Sequence, residues 1–388
     1  MSIHHHVSRK IADIPPSAIH EMTRLSRQIE DVAFLSWAKP TSGTPEHINQ
    51  AAMQAIAEGK TGGYSETGGL ASLREEIVCK LQRDNNISAD PAEILLTVGA
   101  IEGLTAAVMA VVDPGDEVII PVPGYSTHIR QVELASGRPV LAPTLAEQGF
   151  RLDLDRLRDL VTSRTKAILY SSPNNPTGAV YTHDELSALA DIAREHDLVI
   201  ITDEAYEYFV FDGERHISMA ALDGMRERTI SCFTFTKTYA MTGWRIGYLH
   251  AVPEWIAQIG KVHIPLCICA PVVSQYAALA ALTGPQDCVA GFRQHYQATR
   301  DLMCRRLDRL PGIFSYQKPR GSYLMFPRIE LPAGQDSMTF AKRMLQEARV
   351  STTPGVAFKG EGHVRMSFCV PEATIDLAFD RLEEYFRE

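Results

Sequence analysis

The sequence predicts an α/β protein in which helices cover both faces of a mostly parallel sheet, with a smaller α+β domain beside it. Three observations support this class. From about residue 90, short apolar runs alternate with helical patterns, which is the order expected of βαβ units. The apolar runs lack polar alternation, as strands buried on both faces do. From about residue 286, this rhythm gives way to mixed helices and strands.

The individual elements follow from hydrophobic periodicity and from helix-start signals. An amphipathic helix is predicted where apolar residues recur at i, i+3, i+7, i+8 and i+11, namely Leu70, Leu73, Ile77, Val78 and Leu81. Strands are predicted at 94–98, 117–121, 167–171, 199–202 and 229–235, with helices at 100–112 and from 125 onward. A capping box from Thr182 to Glu185 opens a helix that runs to about residue 196. The last helix is predicted from the stripe Ile375, Phe379, Leu382 and Phe386.

The 388 residues allow two or three domains, at one domain per roughly 150 residues. We predict an N-terminal arm over residues 1–45 that also contributes to the small domain, a large domain over 46–285, and a small C-terminal domain over 286–388. The arm is predicted because the first 45 residues are rich in turn signals, including Pro15-Pro16, Pro40, Gly43 and Pro45.

Composition argues against several classes of function. There are 38 Lys plus Arg against 47 Asp plus Glu, a net charge of −9, which disfavours nucleic acid or an anionic membrane as partner. Seven cysteines without a C-x-x-C pair disfavour a disulfide framework or a structural zinc site, and Cys267 and Cys269 are interpreted as packing residues. Neither a membrane-spanning run nor a signal peptide is recognisable. We therefore predict a cytoplasmic protein that binds no metal.

Four polar segments remain unexplained by composition: 172–178, 202–206, 234–245 and 363–367. The first three follow or end predicted strands, where α/β sheets bind ligands, and the fourth places an arginine within a strand-like run. No dinucleotide-binding or P-loop glycine pattern accompanies them. Singly, each segment has an ordinary structural explanation, such as a helix cap or a solvated lysine. Together, in this order, they resemble the pyridoxal-phosphate aminotransferases of fold type I, the class I/II, aspartate-aminotransferase-like group.

The resemblance extends over nearly the whole chain and implies a role for each matching residue. Lys237 is expected to form a Schiff base with pyridoxal phosphate and to move the substrate proton. Asp203 is expected beside the pyridine nitrogen, and Tyr206 and Asn175 at the phenolic oxygen. Phosphate contacts are implied for Gly99, Ala100, Ile101, Thr234, Thr236 and Arg245, and ring stacking for Tyr125.

Substrate contacts and a shared site are also implied. Arg365 matches the arginine that grips the α-carboxylate in two-pronged fashion, with Ala38 and Asn175 as further substrate contacts. Tyr64 matches a tyrosine that reaches the neighbouring subunit's phosphate, which implies a homodimer with shared active sites.

The sequence departs from the family pattern near the substrate. Ala38 replaces a glycine, and its methyl group is expected to raise the pocket floor. Ile101 and Ile19 stand where one aspartate-acting subgroup has Lys and Thr. A second substrate carboxylate would then be buried without a partner, so we predict that dicarboxylates are not the preferred donors. His128 stands where tyrosine is common. With Glu66 it is a candidate for recognising a polar substrate side chain, unless both are merely surface or supporting polar groups.

The predicted function is therefore transfer of an amino group from an amino acid to a 2-oxo acid. Carbon–sulfur lyases, cyclopropane-forming or cyclising enzymes and oxidases share the same residue set and remain alternatives. A regulator with an idle aminotransferase-like domain is a further alternative, which the complete set of Lys237, Asp203, Arg245 and Arg365 disfavours.

Overall fold

The computed structural model describes residues 6–12, 14–330 and 335–387. Its α-helices are α1 (Arg9–Ala12), α2 (Ala18–Ser26), α3 (Glu46–Ala57), α4 (Ala71–Asn85), α5 (Gly99–Val111), α6 (Ser126–Leu134), α7 (Leu154–Asp159), α8 (His183–Glu195), α9 (Phe235–Thr238), α10 (Pro253–Cys267), α11 (Val272–Thr283), α12 (Asp287–Leu307), α13 (Ser337–Glu347) and α14 (Glu372–Tyr385). Its strands are β1 (Ala33–Phe34), β2 (Ile94–Thr97), β3 (Glu117–Val122), β4 (Arg138–Pro143), β5 (Thr165–Ser171), β6 (Val199–Asp203), β7 (Thr229–Thr234), β8 (Gly247–His250), β9 (Phe314–Ser315), β10 (Leu324–Met325), β11 (Arg328–Ile329), β12 (Val350–Ser351), β13 (Thr353–Pro354) and β14 (Val364–Ser367).

A seven-stranded sheet with the order β2-β8-β7-β6-β5-β3-β4 forms the centre of the molecule. Strands β4, β3, β5, β6 and β7 pair in parallel, whereas β8 runs antiparallel to both β7 and β2. The inner strands β5, β6 and β7 are apolar along most of their length because helices cover both of their faces. The α/β class predicted from the sequence is confirmed.

The remaining strands form three small sheets, β1-β12, β10-β14-β13 and β11-β9. They pack with α12 and α14 around a second apolar core, which includes Phe314, Tyr323, Phe368 and Phe379. Because β1 pairs in parallel with β12, residues 33–34 lie among C-terminal elements, as expected for an arm that joins the smaller unit. The domain boundaries at 45 and 285 stay predictions.

None of the helices in the described ranges is both long enough and apolar enough to cross a membrane.

Candidate active site

The carboxyl ends of the parallel strands β5, β6 and β7 lie side by side. Ser171 pairs with Asp203, and Asp203 pairs with Cys232, so the register brings the ends of the three strands level. Residues 172–178 continue directly from β5, and β7 leads into α9, which carries Lys237. Three of the segments singled out from the sequence therefore meet at one edge of the sheet.

Lys237 lies in the one-turn helix α9, which begins where β7 ends. The Thr234 side chain caps this helix by accepting a hydrogen bond from the Thr236 N–H at 3.2 Å. The Lys237 Nζ donates to the Ala38 carbonyl at 2.8 Å, and the Tyr323 hydroxyl donates to the same oxygen at 3.0 Å. Desolvation lowers the pKa of Lys237 to about 8, against the opposing effects of Cys369 and Asp203. A lysine with this pKa is neutral for part of the time near pH 7 and can act as a base.

Asp203 is held by a buried histidine. His128 Nε2 lies 3.2 Å from Asp203 Oδ2, and the Ala205 N–H donates to Asp203 Oδ1 at 3.2 Å. The Tyr125 ring meets the His128 ring edge-on, with centroids 5.6 Å apart. His128 is 1% exposed and lies beside Asp203, which favours its alternative role as a supporting group. Its recognition of a polar substrate side chain stays a prediction.

Arg365 lies in β14 with its guanidinium group buried. Its Nη1 donates to Asn175 Oδ1 at 3.2 Å, and its Nη2 donates to the Ser36 carbonyl at 2.8 Å. Within the described residues, Arg365 Nε has no hydrogen-bond partner. Desolvation lowers the pKa of Arg365 from its ordinary value. A buried cation with an unused donor is suited to a carboxylate ligand.

A cup suited to an anion forms between the start of α5 and Arg245. Gly99 opens α5 with a φ of +73°, and a Cβ built on it would lie 2.5 Å from Arg245 Nη2. Arg245 reaches this position because β8 is antiparallel, so the residues before β8 lie beside the carboxyl ends of its neighbours. The N–H groups at the start of α5 and the Arg245 guanidinium are the donors that a phosphate prefers.

The two threonines predicted to contact the phosphate are buried beside this cup. Thr234 Oγ1 lies 2.9 Å from Thr236 Oγ1 and 3.2 Å from the Ile246 carbonyl. Strand β8, which follows Arg245, pairs Gly247 with Thr234. The pairing of β7 with β8 thus brings Thr234 close to Arg245, which lies 11 positions later in the chain.

Sequence reasoning missed a buried polar network behind Asp203. Glu204 accepts hydrogen bonds from Thr202 Oγ1 at 2.7 Å and Ser218 Oγ at 2.5 Å, and lies 2.7 Å from His216 Nε2. Although desolvation raises the pKa of Glu204, His216 and the hydroxyl donors outweigh it and leave the pKa below its ordinary value. Side chains alternate between the two faces of a strand, so Thr202 and Glu204 lie on the face opposite Asp203. This alternation could have predicted that the two residues share a polar contact.

The same network continues through Ser218 to a buried ion pair. Asn85 Nδ2 donates to Ser218 Oγ at 3.0 Å, and Lys80 Nζ donates to Glu207 Oε2 at 2.5 Å and to Asn85 Oδ1 at 2.8 Å. Lys80 thereby ties α4 to the segment that follows β6.

Four other residues were named from the sequence, namely Tyr64, Ile101, Ala38 and Glu66. Tyr64 is 80% exposed, and the Ile101 side chain is 46% exposed although its backbone belongs to the first turn of α5. Ala38 offers its carbonyl to Lys237, while its side chain packs against the second core. Glu66 is exposed and pairs with Arg74 at 2.9 Å, so its carboxylate is engaged at the surface.

The described residues fit the pyridoxal phosphate that the resemblance implies. The cup at Gly99 would be filled by any larger side chain, and it faces the Arg245 guanidinium, as a phosphate requires. The paired Asp203 provides a carboxylate for a protonated ring nitrogen, and Tyr206 is buried with its ring centroid 5.9 Å from Lys237 Nζ. Burial raises the pKa of Tyr206, so its hydroxyl stays a proton donor.

Comparisons with known proteins agree with this site. A family model described as aminotransferase class I and II matches residues 31–382. An aromatic-amino-acid aminotransferase 2 from Thermococcus litoralis is 40% identical, with 98% of each chain covered. An aspartate aminotransferase from Pyrococcus abyssi has the same identity and coverage. The crystal structure of an aromatic aminotransferase from Pyrococcus horikoshii is 39% identical with a TM-score of 0.89, covering 94% of this chain and 98% of that one.

Each of these relatives is named an aminotransferase, which argues against the lyase, cyclase, oxidase and regulator alternatives. Members of the matching family use pyridoxal phosphate. The chain therefore belongs to the class I and II aminotransferases, and it is a pyridoxal-phosphate-dependent enzyme that moves an amino group between an amino acid and a 2-oxo acid.

Proposed function

We propose that the preferred amino donor of this aminotransferase carries an apolar side chain rather than a second carboxylate. The observation that carries the proposal is the aromatic wall beside Arg365. The Arg365 guanidinium lies 4.8 Å from the centre of the Phe358 ring, which stacks edge-on against Phe326. Ile19 packs against the same cluster. Phe358 and Phe326 are buried and form an apolar backing behind Arg365, so the partly buried Ile19 is the apolar group that a donor held by Arg365 would reach.

A second carboxylate in this position would lose its hydration without gaining a partner. Ile19 and Ile101 are aliphatic, and burying an unpaired carboxylate costs several kcal/mol. An apolar or aromatic side chain would instead gain about 25 cal/mol for each Å² of apolar surface that it buries. Relatives are named both for aromatic amino acids and for aspartate, so the residues near the donor side chain decide between the two.

In this proposal, each of the other site residues has a separate role. Pyridoxal phosphate, when bound, supplies the electron sink that lets the bond between the α-carbon and its hydrogen break. Lys237 would accept and return that proton, Asp203 with His128 would provide a negative charge for the ring nitrogen, and Arg365 would orient the α-carboxylate. Tyr206 and Asn175 would hold the cofactor's phenolic oxygen, and Tyr125 would hold its ring.

The Ile101→Lys variant tests the donor preference. We expect kcat/KM for aspartate to rise roughly tenfold or more, because a charge-assisted hydrogen bond contributes about 1.5–3 kcal/mol. The values for phenylalanine and leucine should not rise. Met109→Lys is the matched control, since Met109 is exposed on the same helix α5. If wild-type enzyme prefers aspartate, or if both variants behave alike, the proposed pocket is wrong.

We also infer that the chain works as a homodimer with shared sites. Tyr64 is exposed, although the resemblance gives it a cofactor contact, so its contact is expected in a partner subunit. An exposed apolar patch lies near the start of α5 and the end of α10, two helices that pack together. We call Ile101, Ile264, Leu266 and Ile268, each 45–52% exposed, the α5–α10 patch. Such a patch is suited to a second copy of the chain.

A further inference from the structure

Three side chains of different chemistry meet between α5 and α10. Glu102 Oε1 lies 2.9 Å from His263 Nδ1, and Cys267 Sγ lies 3.5 Å from the same nitrogen. All three ligand-type atoms lie within 4.8 Å of one another. His263 and Cys267 are four residues apart on α10, so they share one face of that helix, and Glu102 faces them from α5.

These separations are close to those required by a tetrahedral metal ion. Zinc lies about 2.3 Å from a cysteine sulfur, about 2.0–2.1 Å from a histidine nitrogen and about 2.0–2.2 Å from a carboxylate oxygen. Tetrahedral angles then place the ligand atoms about 3.3–3.7 Å apart. The distance from Cys267 Sγ to His263 Nδ1 is in this range, but Sγ also lies 3.7 Å from Nε2, so the Cys267 side chain has to rotate to reach a metal in the plane of the ring. The distance from Glu102 Oε1 to His263 Nδ1 needs to open by only a few tenths of an ångström.

The cluster is also held in place by its surroundings. The second carboxylate oxygen of Glu102, Oε2, accepts a hydrogen bond from the Val98 N–H at 3.0 Å. The His263 side chain is fully buried, and the Glu102 side chain is 13% exposed. Hydrogen bonds of this kind fix the orientation of metal ligands in proteins and raise their affinity. None of the three side chains has a role in the amino-transfer site described above.

We propose that Glu102, His263 and Cys267 bind a divalent transition-metal ion of the Zn²⁺ type, with a fourth coordination position left open. The set of one oxygen, one nitrogen and one sulfur ligand favours zinc over magnesium or calcium, which prefer oxygen ligands alone. The site is independent of the proposed donor preference. It differs from the pair Cys267 and Cys269 considered in the sequence. His263 lies one helical turn before Cys267 on α10, and the packing of α5 against α10 brings Glu102 to both.

The site is placed to affect cofactor binding. Glu102 follows Ile101 in the first turn of α5, and its Oε2 holds the Val98 N–H just before Gly99. An ion bound at Oε1 would therefore be linked by a single carboxylate to the turn that forms the phosphate cup.

The test is direct measurement of ion binding to the cofactor-loaded full chain. All proteins carry His4→Ser, His5→Ser and His6→Ser, because those three histidines would bind Zn²⁺ themselves. Cys267 lies between two residues of the α5–α10 patch, which a second copy of the chain is expected to cover. Dialysis against Zn²⁺ therefore runs overnight, so that the ion has time to reach the site. We expect one retained Zn²⁺ per chain, and with Cd²⁺ an ultraviolet thiolate-to-metal charge-transfer band.

Cys267→Ser should abolish the Cd²⁺ band and weaken Zn²⁺ binding by at least the roughly tenfold to hundredfold seen when supporting groups are removed. Cys79→Ser, which removes an exposed thiol elsewhere, should leave both unchanged. Glu102→Gln keeps the acceptor for Val98 and should also weaken binding, which covers the case in which Cys267→Ser fails to fold. Absence of a retained ion, or equal binding by the Cys267 and Cys79 variants, would overturn the proposal.

Discussion

The amine of Lys237 is tuned by its surroundings before any ligand arrives. Desolvation lowers its pKa to about 8, so the amine is mostly charged below pH 8 and mostly neutral above it. We expect the rate at which a small amine-directed acylating reagent labels Lys237 in the cofactor-free protein to rise with pH and level off just above pH 8. Mass spectrometry of the labelled peptide measures this rate.

The unfolded chain provides the comparison for this experiment. In urea, labelling of Lys237 should keep rising towards the ordinary lysine pKa of about 10.4. Since the folded state then binds fewer protons than the unfolded state, the free energy of unfolding should rise with pH from about 8 towards 10.4. A folded-state profile that coincides with the unfolded one would contradict the assigned environment.

We expect His128 to act through Asp203, the side chain that it contacts. Replacing it by phenylalanine removes a hydrogen bond to a charged group, which contributes about 1.5–3 kcal/mol and should lower kcat/KM roughly tenfold to hundredfold. The loss should be similar for every amino donor. His128→Gln, which keeps a donor, should recover part of the activity. A loss confined to donors with polar side chains would instead support the role in substrate recognition.

At this scale, the sequence predicted the residues that stand at strand ends. Lys237, Asp203 and Asn175 follow or end apolar runs, and the sheet register then brings them together. The contact of His128 with Asp203 was not predicted because the two residues lie 75 positions apart, on elements whose packing no local pattern reveals. The Glu204 network was missed because His216 and Ser218 lie in the loop after β6, which has no apolar period.

Among the elements, the start of α5 depends most closely on one residue. Gly99→Ala would place a methyl group against Arg245 and would force a φ of +73° on a residue with a side chain. We expect the affinity for pyridoxal phosphate to fall at least tenfold, because the cup is blocked and a left-handed alanine costs about 1–2 kcal/mol. Equilibrium dialysis of the cofactor measures the change.

Gly149→Ala separates the two causes. Gly149 has a similar φ of +76° but open space around it, so alanine there meets the backbone cost alone. Its thermal stability should fall while its cofactor affinity stays at the wild-type value. If both variants lose affinity equally, blocking of the cup is not the cause.

The long elements were predicted well and the short ones were not. The capping box at Thr182, the predicted strands and the helix at 100–112 agree with the structure within one or two residues, because each has an apolar period of its own. Strand β8 was missed because Leu249 is its only aliphatic residue, whereas the equally short β2 contains three. Strand β4 was missed because it lies at the edge of the sheet and is only partly buried.

For the whole molecule, shared sites predict that two defective chains can complement each other. Tyr64→Ala should impair the site of the partner subunit, and Lys237→Ala should abolish the site of its own chain. In a mixed dimer, the site with an intact Lys237 receives Tyr64 from the Lys237→Ala chain. Random pairing makes about half of the dimers mixed, with one of two sites intact, so activity should recover to about a quarter of wild type.

Each variant measured alone sets the baseline for this experiment, and activity is followed as 2-oxo acid formed after the two chains are refolded together. Mixing Lys237→Ala with Arg365→Ala is the control, since both changes are expected to disable a chain's own site. Recovery in that control, or none in the Tyr64 mixture, would contradict the shared site.

The antiparallel direction of β8 has a practical consequence. It places Arg245 at the carboxyl edge of the sheet, the same edge as Asp203 and Lys237. The turns at the opposite edge contain none of these three residues. One such turn, between α5 and β3, contains Gly115 with open space around it. Because Gly115 has a φ of +91°, a side chain on it would be strained, so a short peptide tag inserted beside it is preferable to a cysteine in its place. Such a tag would let the enzyme be fixed to a solid support with its substrate entrance turned towards the solution.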